Sequence, residues 1–484
     1  MGRRRGPVDC VVLAALALTA PALGLAAELP GAAPAAALPT AGVLGEDAAG
    51  VAVPPTDQTR FGVAAGIGET DNVNLTSSHP QSQTLSAADL DFALTRTGSR
   101  LDASALGDFT DIDYLQGAYS NQVLGRFDGL ALAKLWSDRL KWIVREDYGD
   151  AQIDPFAAIT PSNLERENLF TTGPDLTLRP SDATFVELEA LYGRSSYETS
   201  PFDANIGTGS VAVGRQLSAL SSLSLVGQVQ ELKFDNTTVN TDYDRRELYG
   251  RYQIQGARTQ VEAELGVTQA NDVGSWETTP LARLSLARQV SPFSSITLDG
   301  GREYTDGAGS FSDLRAGAAG GITIGAVTQT TANYLRNYAS AGWVFSRLRT
   351  SFGLTGTWER DTYDQDDTFD VNRAEVEANL GRHITQTISA DITAGVERDQ
   401  YPNQGFADKY GTAGGGLTWR PGRWVEVYAR YDHAFRSTSG PASAIGLGGG
   451  YDENRVFVMV GYRPHTAADE AGGNMGLLPA APPN

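Results

Sequence analysis

The 484-residue chain has one cysteine, three methionines and four histidines, and only 38 basic against 58 acidic side chains, a formal net charge of -20. Each shortage excludes something. Nucleic-acid binding draws its affinity from a basic face, and no segment here is basic enough to offset the acidic balance, so no nucleic-acid partner is expected. Away from the N-terminus no apolar run nears the roughly 20 residues that a transmembrane helix needs. The single cysteine, Cys10, sits in the N-terminal segment, so a chain processed after Ala27 has no thiol for a disulfide, a zinc site or a nucleophile.

That N-terminal segment has the order of a secretory signal peptide: Arg3, Arg4 and Arg5, an apolar core from Cys10 to Leu18, then small residues at Gly24, Ala26 and Ala27. Residues 1–27 are accordingly read as a signal peptide, whose removal leaves 35 basic and 57 acidic residues. Residues 28–58 are rich in Ala and Pro without period and read as a periplasmic lead-in, and 464–484 read as a flexible tail. The structured body is placed at 59–463.

Within that body apolar residues recur at every second position. Val425, Val427, Ala429 and Tyr431 alternate with Glu426, Tyr428, Arg430 and Asp432; Ile388, Ala390, Ile392, Ala394 and Val396 alternate with Ser389, Asp391, Thr393, Gly395 and Glu397. Period two signals strands with one greasy and one polar face. A soluble sandwich alternates too, so the loops decide. Short connections are expected near Gly98, Ser137-Asp138, Pro180-Ser181, Ala219-Leu220, Gly256-Ala257, Ser291-Pro292, Arg349-Thr350, Thr385-Gln386 and Pro421-Gly422. Longer, polar ones are expected at Ser77–Gln81, Asp150–Asn163, Thr199–Asn205, Asp235–Asn240, Asp306–Thr328, Asp364–Asp367 and Ser437–Tyr451. Short alternating with long is the asymmetry of an outer-membrane barrel. The fold class predicted is all-β: a single-chain transmembrane antiparallel β-barrel of about 20 strands, with 18 as the alternative count. Closure removes sheet edges and satisfies the backbone in lipid. Trp136, Trp142, Trp343, Phe345, Trp358, Trp419 and Trp424 fall near strand ends, where interfacial aromatics belong.

The opening stretch Phe61 to Asn74, with its run Glu69-Thr70-Asp71-Asn72-Val73-Asn74, and the closing Glu453-Asn454-Arg455-Val456-Phe457 resemble the family of beta-barrel porins associated with exopolysaccharide and exosortase-type surface systems. The resemblance spans Arg60 to Arg463 and implies porin-like architecture in a Gram-negative outer membrane; it transfers no catalytic residue. Val456, Val458, Val460 and Tyr462 also resemble the C-terminal insertion signal of outer-membrane barrels, with the departure that 22 residues follow Tyr462.

No reaction centre stands out, and the chain is not read as an enzyme. His79, His383, His433 and His465 have no carboxylate or Cys at ligand spacing, so neither metal nor cofactor is expected. His433 is the sole candidate for a lipase-like histidine, without a serine motif beside it. Asp361 to Asp370 lacks the Gly and terminal Glu of a calcium loop, and Gly317 to Gly325 lacks the Lys of a phosphate loop. Strand parity instead points charge inward. The pore-lining candidates are Arg126, Arg145, Asp147, Glu187, Arg251, Glu262, Glu264, Arg283, Asp299, Arg373, Glu375, Glu377, Glu426, Arg430 and Asp432, on a face where water tolerates them and where an acidic excess favours cations. The loop at 306–328 is expected to fold inward as a constriction. The function expected is an outer-membrane channel that passes small solutes or exports surface polysaccharide, its partners being membrane lipid, its cargo and periplasmic export components. The alternative is a non-conducting docking barrel.

Overall fold

In the computed structural model, residues 58–136, 139–271, 274–309, 333–364, 366–441 and 449–463 are described. The proposed signal peptide, residues 28–57 of the lead-in and the tail from 464 lie outside them.

The period-two segments all become strands. In chain order they are β1 (Gln58–Thr70), β2 (Gln83–Thr97), β3 (Leu101–Tyr114), β4 (Gln122–Trp136), β5 (Leu140–Gln152), β6 (Leu164–Leu178) and β7 (Thr184–Tyr197). There follow β8 (Ala204–Ser218), β9 (Ser221–Phe234), β10 (Tyr243–Gln255), β11 (Thr259–Asn271), β12 (Glu277–Ser291), β13 (Ser294–Thr305) and β14 (Tyr334–Arg347). The chain finishes with β15 (Thr350–Tyr363), β16 (Val371–His383), β17 (Ile388–Tyr401), β18 (Phe406–Trp419), β19 (Val425–Ser439) and β20 (Tyr451–Tyr462). Every neighbouring pair is antiparallel, and β1 pairs with both β2 and β20, so the 20-stranded sheet closes on itself. Between the two strand counts predicted, 20 is the one found.

The two ends of the barrel differ as the loop pattern predicts. Turns at 98–100, 219–220, 256–258, 292–293 and 348–349 lie at the end where β1 begins and β20 finishes, while 71–82, 153–163, 235–242 and 306–309 lie at the other. These are called the turn end and the loop end. Two turns sit one residue from their expected place, and the loops at 115–121, 272–276 and 402–405 are additional to those expected. The two-residue turn at 348–349 puts Leu348 at φ 51, a conformation that suits Gly or Asn.

Parity sorts the side chains. Ile67, Val213, Leu225, Leu265, Ile392 and Val460 are all more than half exposed, and they belong to the outer face. The opposite parity is buried and mostly polar or charged. The predicted aromatic belt is uneven. Trp136, Trp142, Trp343, Trp419 and Trp424 are exposed at the turn end, whereas Trp358 sits toward the loop end, where Trp276, missed from the sequence, joins it.

The barrel closes at the seam between β1 and β20. Pairing between β1 and β20 runs only from Val63↔Tyr462 to Thr70↔Arg455, whereas β1 and β2 pair from Gln58 to Thr70. Close approach compensates: a Cβ on Gly66 would run into the Val458 carbonyl and Met459, and one on Gly68 into the Phe457 ring. At the loop end Asp71 accepts from the Asn454 backbone N–H at 2.8 Å and from its side-chain amide at 2.7 Å. Asn72 donates to the Asp452 carbonyl at 2.8 Å, and Thr70 donates to Glu453 at 2.6 Å. The two stretches that carried the family resemblance therefore meet in space and fasten the barrel shut.

Candidate functional site: the barrel interior and its loop end

All fifteen predicted lining residues lie on the interior parity, opposite the exposed apolar face. One continuous cross-strand row joins several of them: Arg251↔Glu264↔Arg283↔Gly301↔Tyr338↔Glu359↔Arg373↔Asp399↔Asp408, from β10 to β18. At Arg251, Glu264 and Arg283 and again at Glu359, Arg373 and Asp399 the row places opposite charges side by side, the stabilising arrangement for directly facing pairs, with Gly301 and Tyr338 between the two runs and Asp408 facing Asp399 as a like charge at its end. Arg251 Nε reaches Glu264 at 2.7 Å, and Arg283 binds Glu264 at 3.1 Å and Glu247 at 3.0 Å while also pairing with Glu303. Arg336 donates to Glu359 at 3.0 Å, and Arg373 lies 3.2 Å from Glu397 and 3.0 Å from Asp399. Glu262, by contrast, is only 3.9 Å from Arg251, at the edge of this network. Glu375 and Glu377 share the wall of β16 with Arg373, and Asp299 faces Ser285 and Ser340 across the register.

A second network gathers Glu426, Arg430 and Asp432. Arg430 contacts Asp391 at 3.0 Å and Asp432 at 2.8 Å, while Glu426 accepts from Arg420 at 2.8 Å and lies 3.5 Å from Arg463. Sequence reasoning left Glu303, Arg336, Glu359, Asp361, Asp391, Glu397, Asp399, Asp408 and Arg436 out of the lining set. Glu303 shares strand and parity with Asp299, and Arg436 with Arg430, so period two would have found both; Asp391 and Glu397 stand on the polar face of the β17 alternation, while β14, β15 and β18 had no chosen residue to set their face.

From β2 to β7 the interior is built differently. Register sets Asp91 opposite Asp108, Asp128 opposite Asp147 and Asp175 opposite Glu189. Like charges facing each other are destabilising. Basic groups relieve them only in part: Arg145 binds Asp147 at 2.7 Å, Arg463 pairs with Asp91, and Lys141 stands 3.7 Å from Asp175. Arg126 faces Asp108, and Glu187 lies one interior step from Glu189. Carboxylates outnumber cations on this stretch of wall.

The loop end is partly covered by three segments. Loop 153–163 is pre-folded by its own side chains. Asn163 accepts from the Asp154 N–H at 2.8 Å and donates to the Asp154 and Ala158 carbonyls at 3.0 Å, and Asp154 accepts from the Phe156 N–H at 2.9 Å. Phe156 then packs on Phe369 at 5.7 Å, Tyr401 at 5.2 Å and Phe406 at 5.9 Å, and its carbonyl accepts from Arg436 at 2.7 Å. Those partners stand on or beside β16 to β19, with β4, β3, β2, β1, β20 and β19 intervening in the wall between β5 and β18. The loop therefore reaches over the mouth. Its apolar Phe156, Ala157, Ala158 and Ile159 between two prolines were the missed sequence signal. Burial raises the Tyr119 phenol pKa, against a hydrogen bond with Thr160 that lowers it, which ties loop 115–121 to the same element.

Loop 71–82 is the second segment, with Val73 and Leu75 buried. The third begins the loop expected to form a constriction. Its described start turns inward: Ala308 packs with Leu169, Ala204, Ile206, Leu232, Phe234 and Tyr243, and Tyr243 donates to Asp306. Residues 310–332, including all of Gly317 to Gly325 and most of the predicted constriction, lie outside the described residues.

The remaining candidates disperse. His433 faces outward and bonds Asn454 at 3.0 Å, within the seam cluster. His79 is exposed in loop 71–82 and His383 ends β16; His465 is outside the described residues. In the acidic run, Asp370 accepts from the Tyr363 N–H at 2.8 Å and from Asn403 at 3.0 Å, and Asp366 accepts from the Thr368 N–H at 3.1 Å. Among the described residues no group of three His, Cys, Asp or Glu is arranged to hold a metal ion.

No family model matches the sequence, and no curated protein does. The barrel is similar to the solved siderophore receptor PirA from Pseudomonas aeruginosa, at 10% identity over 84% of this chain and 80% of that one, with a TM-score of 0.41. It is also similar to the FrpB iron transporter from Neisseria meningitidis (F3-3 variant), at 9% identity over 84% and 81%, TM-score 0.40. OccAB2 from Acinetobacter baumannii gives 9% identity over 84% and 98%, TM-score 0.34. At these identities and scores no ligand or role passes from them to this chain.

Proposed function

We propose that the chain is an outer-membrane channel whose acidic interior favours cations and neutral solutes, with loop 153–163 as a cover over its outer mouth. The observation that carries the reading is the split between the two faces of one closed sheet: an exposed apolar outer wall and a charged interior. A closed barrel hides every backbone polar group, and lipid accepts only such a structure or a helix. Barrels of roughly 16 to 18 strands already leave an aqueous channel. The export of surface polysaccharide fits the same lumen and is the cargo that the porin-family resemblance favours; no reaction is assigned. Density-gradient fractionation tests the location, and bilayer recording of the refolded chain tests conduction. Recovery in the inner-membrane or soluble fraction would contradict the proposal.

The packed mouth favours one second reading. If loops 71–82 and 153–163 do not move, the barrel is a docking scaffold for periplasmic export partners, and a folded, inserted protein stays electrically silent.

A further inference from the structure

The outer rim of the wall at the loop end is not electrically uniform. On β1, β3 and β20 the exposed outward groups there are Glu69, Asp111 and Asp452. On β15, β17 and β18 they are Arg360, Arg398 and Lys409. Arg398 and Lys409 face each other directly across the β17–β18 register, a like-charge pair that costs stability where nothing anionic sits between them. The carboxylates on the same strands, Glu359, Glu397, Asp399 and Asp408, have the other parity and belong to the interior network. Three other outward cations toward the loop end are engaged: Arg194 binds Asp235 at 2.7 Å, Lys233 pairs with Glu231, and Arg246 lies 4.1 Å over Trp276.

Depth identifies what meets this pair. The cross-strand row of Arg398 and Lys409 continues through Ala374 to Trp358, an exposed indole. Indoles settle at the headgroup level, so the two cations stand at that level too. Arg360 is one outward-facing step closer to the loops. Toward the turn end the same wall is apolar: Val376, Val396, Ala394 and Ala413. A ligand here needs phosphate above and acyl chains below.

We propose that Arg398 and Lys409, assisted by Arg360, bind the phosphorylated sugar headgroup of a glycolipid in the outer leaflet. The proposal rests on the outer-membrane reading above. Phosphate neutralises the facing cations, and the acyl chains lie along β15 to β18. Headgroup attraction of this kind is worth about 1 kcal/mol per basic residue, so removal of both charges predicts a loss of binding of about thirtyfold.

The test is lipid retention by the purified, detergent-solubilised protein, counted by native mass spectrometry with three probes: bisphosphorylated lipid A, dephosphorylated lipid A and phosphatidylglycerol. R398Q/K409Q is compared with wild type and with R382Q, a control at the turn end; heat-modifiable gel mobility establishes that each is folded. Wild type and R382Q should retain bisphosphorylated lipid A, the double variant about thirtyfold less, and dephosphorylated lipid A should bind all three weakly. Equal retention by the double variant overturns the site. Retention of phosphatidylglycerol as strong as that of lipid A, lost in the same variant, overturns the glycolipid and leaves a general anion site. A chain missing from the outer-membrane fraction removes the functional reading, whatever retention shows; equal retention by a chain found there removes the lipid site alone.

Discussion

Two arcs of the same interior solve one electrostatic problem in opposite ways. From β10 to β17 arginines gather the carboxylates: Arg283 alone contacts Glu247, Glu264 and Glu303, and Arg373 stands beside Glu397 and Asp399, although Glu375 faces Glu397 in the register. From β2 to β7 carboxylates face carboxylates, as at Asp175 and Glu189, with Lys141 3.7 Å from Asp175. The first arrangement stiffens a wall. The second costs stability and places negative potential where mobile cations can answer it, which is why we assign selectivity to the second arc and rigidity to the first.

The largest expected effect breaks the paired arc. Arg283→Met takes the arginine from buried Glu247 and Glu303 and leaves Glu264 only Arg251, and should cost about 3 to 5 kcal/mol, read as a lower urea midpoint with unchanged ion preference in the surviving folded fraction. Next comes the cover. Phe156→Ala removes one half-buried ring from the Tyr401 and Phe406 contact, and a loss of about 2 kcal/mol in loop docking should appear as larger, noisier single-channel steps. Unaltered steps would mean that loop 153–163 does not obstruct the path. On the acidic arc, Glu189→Gln relieves a facing like-charge pair and should stabilise by up to about 1 kcal/mol while weakening cation preference, the opposite sign to Arg283→Met.

The smallest effect concerns the surface pair outside the membrane. Hydrogen bonds from Arg194 hold the Asp235 carboxyl below its usual range. A depressed folded pKa gives stability that is present above the unfolded value and lost as pH falls through the folded one. Loop 235–242 should therefore loosen only in strong acid, and Asp235→Asn should abolish that pH dependence in amide exchange without changing stability at neutral pH beyond a few tenths of a kcal/mol.

Strands, parity and the alternation of turns and loops were legible because period two is a local property: turn 219–220 was placed to the residue. Register between distant strands is not local. Asp71 and Asn454 are 383 positions apart, and their contact became visible only when the sheet closed. For the same reason the lining residues could be given a face but not partners; Arg251, Glu264 and Arg283 form a row only because three strands align. The inward fold of loop 153–163 escaped notice because its polar ends, Asp154 and Asn163, bond each other and read from sequence as solvent-exposed.

The most direct test of the division between the two arcs is the reversal potential of single channels in a potassium chloride gradient, wild type beside Asp175→Asn/Glu189→Gln. A cation-sided potential that moves toward zero in the double variant, at undiminished conductance, is the result predicted. An unshifted potential, or no conductance from a folded and inserted wild-type barrel, would contradict it.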